Sequence, residues 1–209
     1  GRYTLQAKIE SGKNFSIIDY HKIINCNLFK NLILGVNPKF FVSNQIKNFF
    51  LKNNKIELIN KDLIGSSYKK QVNFNKPFFS LNENIVGENY NSKINRVLKI
   101  IKKNKCNSIF ISAPENVAWL LNIRGHDNPN SPMPDCHLLL NTNGKYNLIA
   151  DKKKVKNLIK DKKINSNQII NPNDFKLFIE KQKKGKILID PKTCSLFFEH
   201  IIKTKFKIS

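Results

Sequence analysis

Apolar residues between Ser92 and Asn104 recur as Ile94, Val97, Leu98 and Ile101, the spacing of one helix face, with lysines filling the other. The run Ser108–Ser112 (SIFIS) that follows predicts a short buried strand. Pro114 then stands where a helix can begin without losing a hydrogen bond, and Val117, Leu120 and Leu121 give that helix an apolar side. Cys136–Leu140 and Lys145–Ala150 flank the turn sequence Asn141–Gly144 (NTNG), which predicts a β-hairpin. Asp151 is placed to cap a lysine-rich helix, and Asn173 or Asp174 to cap another whose inward face is Phe175, Phe178 and Ile179. Lys186–Asp190 (KILID) predicts a core strand, with Pro191 opening a last helix through His200.

The first half alternates in the same way. Asn14–Asp19 (NFSIID) predicts a short strand and His21–Phe29 a helix. Leu32–Val36 is a compact apolar run, Asn37-Pro38 a turn, and Ser43 the cap of a helix carrying Ile46, Phe49 and Phe50 inward. Lys55–Asn60 (KIELIN) alternates with period two, as a half-buried strand does. The rhythm breaks between Lys61 and Gly87, so a domain boundary is expected near Pro77–Gly87. Strand–helix alternation on both sides of that break predicts an α/β class built as two small mixed α/β domains in tandem, residues 1–80 and 81–209.

The stretch Ala113–Pro134 is richer than a connector requires. A short helix bearing the single tryptophan, Trp119, which is expected to pack in the core, leads into a loop with Arg124, His126 and Asp127, stiffened by Pro129, Pro132 and Pro134. Taken as chemistry alone, the loop is either a functional edge or a rigid surface turn held by an Arg–Asp pair. Catalytic constellations are absent from the sequence. The densest acid and histidine patches, His126-Asp127 and Asp135-Cys136-His137, offer two convergent ligands at best, too few for a metal centre. Phosphate-cradling glycine loops and a nucleophile elbow are missing as well. The expectation is no catalytic residue and no metal ligand in these residues.

Composition moves the picture little. The formal charge is +22, yet only Arg2, Arg96 and Arg124 are arginine. Lys, Asn, Ile and Phe are inflated together, as an AT-rich coding bias would produce. Sequence-specific nucleic-acid readers enlist arginine for bidentate contacts, so a solvated lysine coat is expected rather than a nucleic-acid site. A basic α/β nucleic-acid-binding module remains the competing class. Cys26, Cys106, Cys136 and Cys194 are widely spaced and are expected to be reduced thiols in a cytoplasmic protein. No apolar run reaches the length of a membrane-spanning helix. GRYTLQAK reads as the interior of an element and FKIS as an unfinished end, so a fragment of a longer protein is expected.

ENVAWLLNIRGHDNPNSP resembles the second N-terminal domain of the three-domain Xaa-Pro aminopeptidases (aminopeptidase P, in the creatinase/prolidase-like metallopeptidase superfamily). Ala118, Trp119, Leu120, Leu121, Asn122, Arg124, Gly125, Asp127, Pro129 and Pro132 follow that family's A-W-L-L-N-x-R-G-x-D-x-P-x-x-P signature in order. Gly1–Ala7 is similar to its D-G-R-Y-T-x-Q-A segment, Gly35–Pro38 to its G-x-D-P turn, and Lys186–Pro191 to the strand ending in Asp-Pro. The departures are His126 where Ser is common and Asn130-Ser131 where Tyr-Asn is common.

The resemblance implies that residues 1–80 are the C-terminal part of a first creatinase-like N-terminal domain and 81–209 a second, cut short at its end. The catalytic pita-bread domain, with two divalent ions (commonly manganese), would lie outside these residues. The resemblance further implies a part that gates the cleft for Xaa-Pro peptides and mediates homo-oligomer contacts, in the cytoplasm, without a membrane or specific nucleic-acid partner. Arg124 and Asp127 are expected at the edge of the substrate cleft, Arg124 as the partner that orients the Asp127 carboxylate. A prolidase or creatinase relative would share this layout.

Overall fold

Apolar runs with no polar alternation suit strands covered on both faces, and that is how the second half of the chain folds. In the computed structural model, which describes residues 2–19, 22, 30–50, 54–63, 65 and 76–209, the chain forms two units dividing after Asp62. Each is described by itself.

In the first unit, helix α1 (Arg2–Glu10) buries none of its residues. Strand β1 (Ile33–Val36), the short helix α2 (Ser43–Gln45) with a π-helical continuation Ile46–Phe50, and strand β2 (Lys55–Leu58) follow in order. The two strands pair in parallel, Ile33 opposite Lys55, so the expected strand–helix–strand unit is present. Gly35 lets Ile59 lie against the strand, since a Cβ there would stand 2.2 Å from Ile59 Cδ1. Asn14–Asp19 is not a strand: Gly12–Asn14 makes a 3₁₀ turn and the next five residues are irregular. Its sequence lacks the alternation that marks one face for burial. The helix expected over His21–Phe29 lies outside the described residues, Lys22 excepted.

The second unit begins with strand β3 (Phe79–Ser80) and helices α3 (Glu83–Val86) and α4 (Tyr90–Lys103). Strand β4 (Ser108–Ile111), helix α5 (Pro114–Leu121), strand β5 (Ile123–Arg124) and the hairpin β6 (His137–Asn141) and β7 (Tyr146–Ile149) come next. Helix α6 (Lys156–Lys160), strand β8 (Ile169–Ile170), helix α7 (Phe175–Glu180), strand β9 (Gly185–Ile189), helix α8 (Leu196–Lys203) and strand β10 (Phe206–Ile208) complete it. Phe78–Ser80, assigned from sequence to the first domain, are bound into this unit. Phe78 is fully buried and its N–H donates to Lys154 O at 2.7 Å, while β3 pairs antiparallel with β5.

Six strands form one mixed sheet in the order β10-β9-β4-β6-β7-β8, with β4, β9 and β10 parallel and the β6–β7 hairpin antiparallel. Period-two geometry splits each central strand between two cores. Leu138, Leu140 and Leu148 face a core closed by Ile94 and Ile101 of α4, Val117, Leu120 and Leu121 of α5, and Leu158 of α6. Phe110, Leu139 and Ile149 face the other, closed by Phe175 and Ile179 of α7 and Ile202 of α8. The last helix starts at Leu196 with Ser195 before it, not at Pro191. Asp190 intervenes, its backbone carbonyl accepting from Thr193 and Cys194 in a turn that delays the helix.

Candidate functional site

The chemistry of Ala113–Pro134 turns on how α5 ends. Asn122 follows its last residue in the left-handed conformation (φ 54°, ψ 41°), a position asparagine tolerates better than most residues. Its side chain is buried and used at both ends: Nδ2–H donates to Glu88 O at 2.8 Å, and Oδ1 accepts from Lys93 Nζ at 2.6 Å. Lys93, only 3% exposed, also donates to Trp119 O at 3.0 Å. Burial lowers the Lys93 pKa, opposed by Glu88 and aided by Arg124 and Arg96. Arg124 Nη1 donates to Ala118 O at 3.2 Å and Ile123 O at 2.8 Å. Two cations therefore sit on the carbonyl end of α5, where the helix dipole is negative and Ala118 O and Trp119 O share the single Asn122 N–H.

Beyond β5 the chain doubles back tightly. Gly125 N–H donates to Pro132 O at 3.2 Å and Asp127 N–H to Met133 O at 3.2 Å, with an Asn128–Ser131 bridge at the tip. A Cβ on Gly125 would stand 2.6 Å from Pro134 Cα and 2.9 Å from Met133 O, so only glycine allows the two limbs this close. His126 is exposed and stacks on Phe79 of β3, ring centroids 5.4 Å apart.

Asp127 closes the loop. Its Oδ1 accepts from Lys154 Nζ at 2.6 Å and its Oδ2 from the Asp135 backbone N–H at 2.6 Å. The pair is largely shielded, with side-chain exposures of 19% for Lys154 and 9% for Asp127. Asp127 thus has Lys154 as its ion-pair partner, and the expected pairing with Arg124 is corrected. The reason is local geometry: Arg124 lies before the Gly125 turn and folds back on α5, whereas Asp127 lies after it and meets the segment following β7. Lys154 sits in a lysine run with nothing to mark it, so local spacing gave no signal for it. Asn122 did carry one, as an asparagine directly after an apolar helix.

Trp119, read from sequence as a core residue, is 48% exposed. Lys93 Nζ lies 4.6 Å and Arg96 Cζ 5.4 Å from its ring centroid, within cation–π range. Asp135 and His137 do not form a ligand pair. His137 is mostly buried against Phe198, its Nδ1–H donating to Ser112 O at 2.7 Å, and burial lowers its pKa. Burial pushes the Cys136 thiol far up, leaving it a packing residue. Among the described residues no group of three or more His, Cys, Asp or Glu could hold a metal ion, so the residues here do not fit a metal centre. None of the described helices is long and apolar enough to cross a membrane.

Comparison with known proteins gives the arrangement a context. Residues 69–209 match the Creatinase/Prolidase N-terminal domain. Xaa-Pro aminopeptidase 1 of Dictyostelium discoideum is 25% identical over 219 aligned positions, covering 92% of this chain and 34% of that protein. Protein pid-5 of Caenorhabditis elegans is 34% identical over 112 positions, 48% of this chain and 10% of that one. Among solved structures, the X-prolyl aminopeptidase of C. elegans, described as a cytosolic enzyme with a di-nuclear active site, superposes with a TM-score of 0.75 at 17% identity. The superposition covers 100% of this chain and 37% of that enzyme. The chain thus spans about a third or less of the length of these relatives.

Proposed function

Because the chain belongs to the creatinase/prolidase N-terminal domain family, we propose that it is the non-catalytic N-terminal part of a metal-dependent Xaa-Pro aminopeptidase. The observation that carries this reading is the match to an Xaa-Pro aminopeptidase along 92% of the chain, with the signature residues Asn122, Arg124, Gly125 and Asp127 forming one locked loop. In this reading hydrolysis before proline, and the two divalent ions (manganese in the expected case) that support it, belong to a domain outside these residues. The described residues offer no ligand set of their own. A prolidase or creatinase relative with the same N-terminal layout is the second reading, favoured by the breadth of the matching family.

The part played here is to shape the edge of the cleft and to contribute subunit contacts in a cytosolic homo-oligomer. Arg124 and Asp127 act at that edge by fixing the loop. Arg124 anchors its start to α5, and Asp127 ties its return to Lys154. A carboxylate whose two oxygens already accept from the chain contributes shape before it contributes contact with a peptide ammonium.

Two assays on Xaa-Pro peptides test the proposal. The purified 209-residue chain supplied with Mn²⁺ is expected to release no N-terminal residue; turnover would overturn it. In the protein carrying the catalytic domain, Asp127→Ala is expected to raise KM for short Xaa-Pro peptides more than it lowers kcat. Unaltered kinetics would remove the loop from the cleft.

A further inference from the structure

A second site lies away from the Gly125–Pro134 loop. Strands β4 and β9 are adjacent and parallel, Phe110 opposite Ile189, but the chain leaves them in opposite directions. Helix α5, after β4, packs on the Ile109/Ile111 face, and α8, after β9, packs on the Phe110 face. Open α/β sheets part at such a point, beyond the carboxyl ends of the strands, and ligands bind in the crevice that results. A groove of about 220 Å³ is present there.

The groove has two unlike ends. Along β4 it is apolar, with Ile109 as floor and Ile100 and Trp119, about half exposed, as walls. At the carboxyl end of the strand it meets Ser112, Thr193, Asn116 and Asp190. The Ser112 and Thr193 hydroxyls bond each other at 2.8 Å, and Ser112 O is held by His137, so this end is fixed in place. Asp190 is exposed; its Oδ1 accepts from Lys192 N–H at 2.9 Å, and among the described residues the carboxylate enters no ion pair. In a chain of net charge +22, an unpaired carboxylate at the end of an apolar slot is a selective feature.

We propose that this crevice binds a small hydrophobic amine, its ring or branched chain lying between Ile100 and Trp119 and its ammonium on Asp190. The volume lies below the roughly 300–1,000 Å³ of drug-sized sites, so the occupant is a single ring or one branched chain. The cations beside the Trp119 ring, Lys93 and Arg96, disfavour a second positive charge at that end and orient the ligand with its ammonium toward Asp190. The site is independent of the peptidase reading.

Trp119 is the only tryptophan and lines this groove, so its fluorescence reports an occupant there. Titration of the full chain with 2-phenylethylamine is expected to give a saturable fluorescence change, and 3-phenylpropionate, the anionic counterpart, none. Asp190→Asn keeps the acceptor for Lys192 N–H and is expected to weaken amine binding by about tenfold, the scale of one charge-assisted bond. Ile100→Asn, at an exposed position, is expected to weaken the response by spoiling the apolar wall without adding a charge. A non-saturable response, equal binding of amine and acid, or an Asp190→Asn variant that binds as the parent does would each overturn the proposal.

Discussion

Gly125 carries its conformation through space and not through dihedral freedom, because its φ is not positive and the obstacle is backbone. Pro134 Cα at 2.6 Å from a would-be Cβ cannot swing aside as a side-chain tip can. Gly125→Ala is therefore expected to cost about 1–3 kcal/mol, the range for overpacking a filled site. Urea unfolding of the variant checks this, and a midpoint equal to the parent's would mean that the limbs part freely. Part of the loop was legible because its contacts are local: Gly125 meets Met133 and Pro134, and the Asn122 backbone ends the helix just before it. The partner of Asp127 was not, since Lys154 lies 27 residues away and nothing local selects it from its lysine neighbours. Trp119 was misplaced for a related reason. A large aromatic beside Leu120 and Leu121 reads as core, but the buried face of α5 is spent on Val117, Leu120 and Leu121, and Trp119 falls at its margin.

At the scale of elements, α5 is too short to be stable by propensity, and its carbonyl end is held from outside by Lys93 and Arg124. Lys93 makes this pH-dependent. Its folded pKa lies below the 10.5 of the free side chain because burial penalises the charged form. Between the folded and unfolded values the unfolded chain binds more protons, so this residue's contribution to stability rises with pH through that window. Below the folded pKa the full cost of the buried charge applies. Lys93→Met removes the titration, so the parent is expected to gain stability relative to the variant as pH rises toward about 10, just below the free side chain's value. Parallel urea midpoints across that range would show that Lys93 bears no such cost. Keeping below pH 10 matters, because Tyr146, pushed up to about 12 by burial, favours the unfolded chain as free tyrosine begins to ionise. Elements with a clear period (α4, β4, α5, the β6–β7 hairpin) were readable from sequence. Those fixed by turns were not: the Asp190 turn moved the start of α8 to Leu196, and Asn14–Asp19 had apolar content without alternation.

For the whole molecule, charge and fold point in different directions, and the physics says which governs binding. A net charge of +22 attracts any polyanion through counterion release, a term blind to sequence that falls steeply with salt. Specific recognition needs bidentate donors at base edges, and two of the three arginines are committed: Arg124 to the end of α5, Arg96 to Glu88 at 2.7 Å. Lysine dominates the remaining positive charge, as strongly hydrated point charges on flexible stems that fit phosphate without geometry. Duplex DNA is thus expected to bind at low ionic strength, equally well for scrambled sequences, with log–log salt slopes that do not depend on base content. At about 150 mM salt, complexes of short duplexes should fade together. A single sequence retained at that salt while its scramble is lost would make the lysine coat a recognition surface, and this creatinase/prolidase N-terminal domain would then carry a nucleic-acid partner. Filter binding across a salt series with matched duplexes decides it.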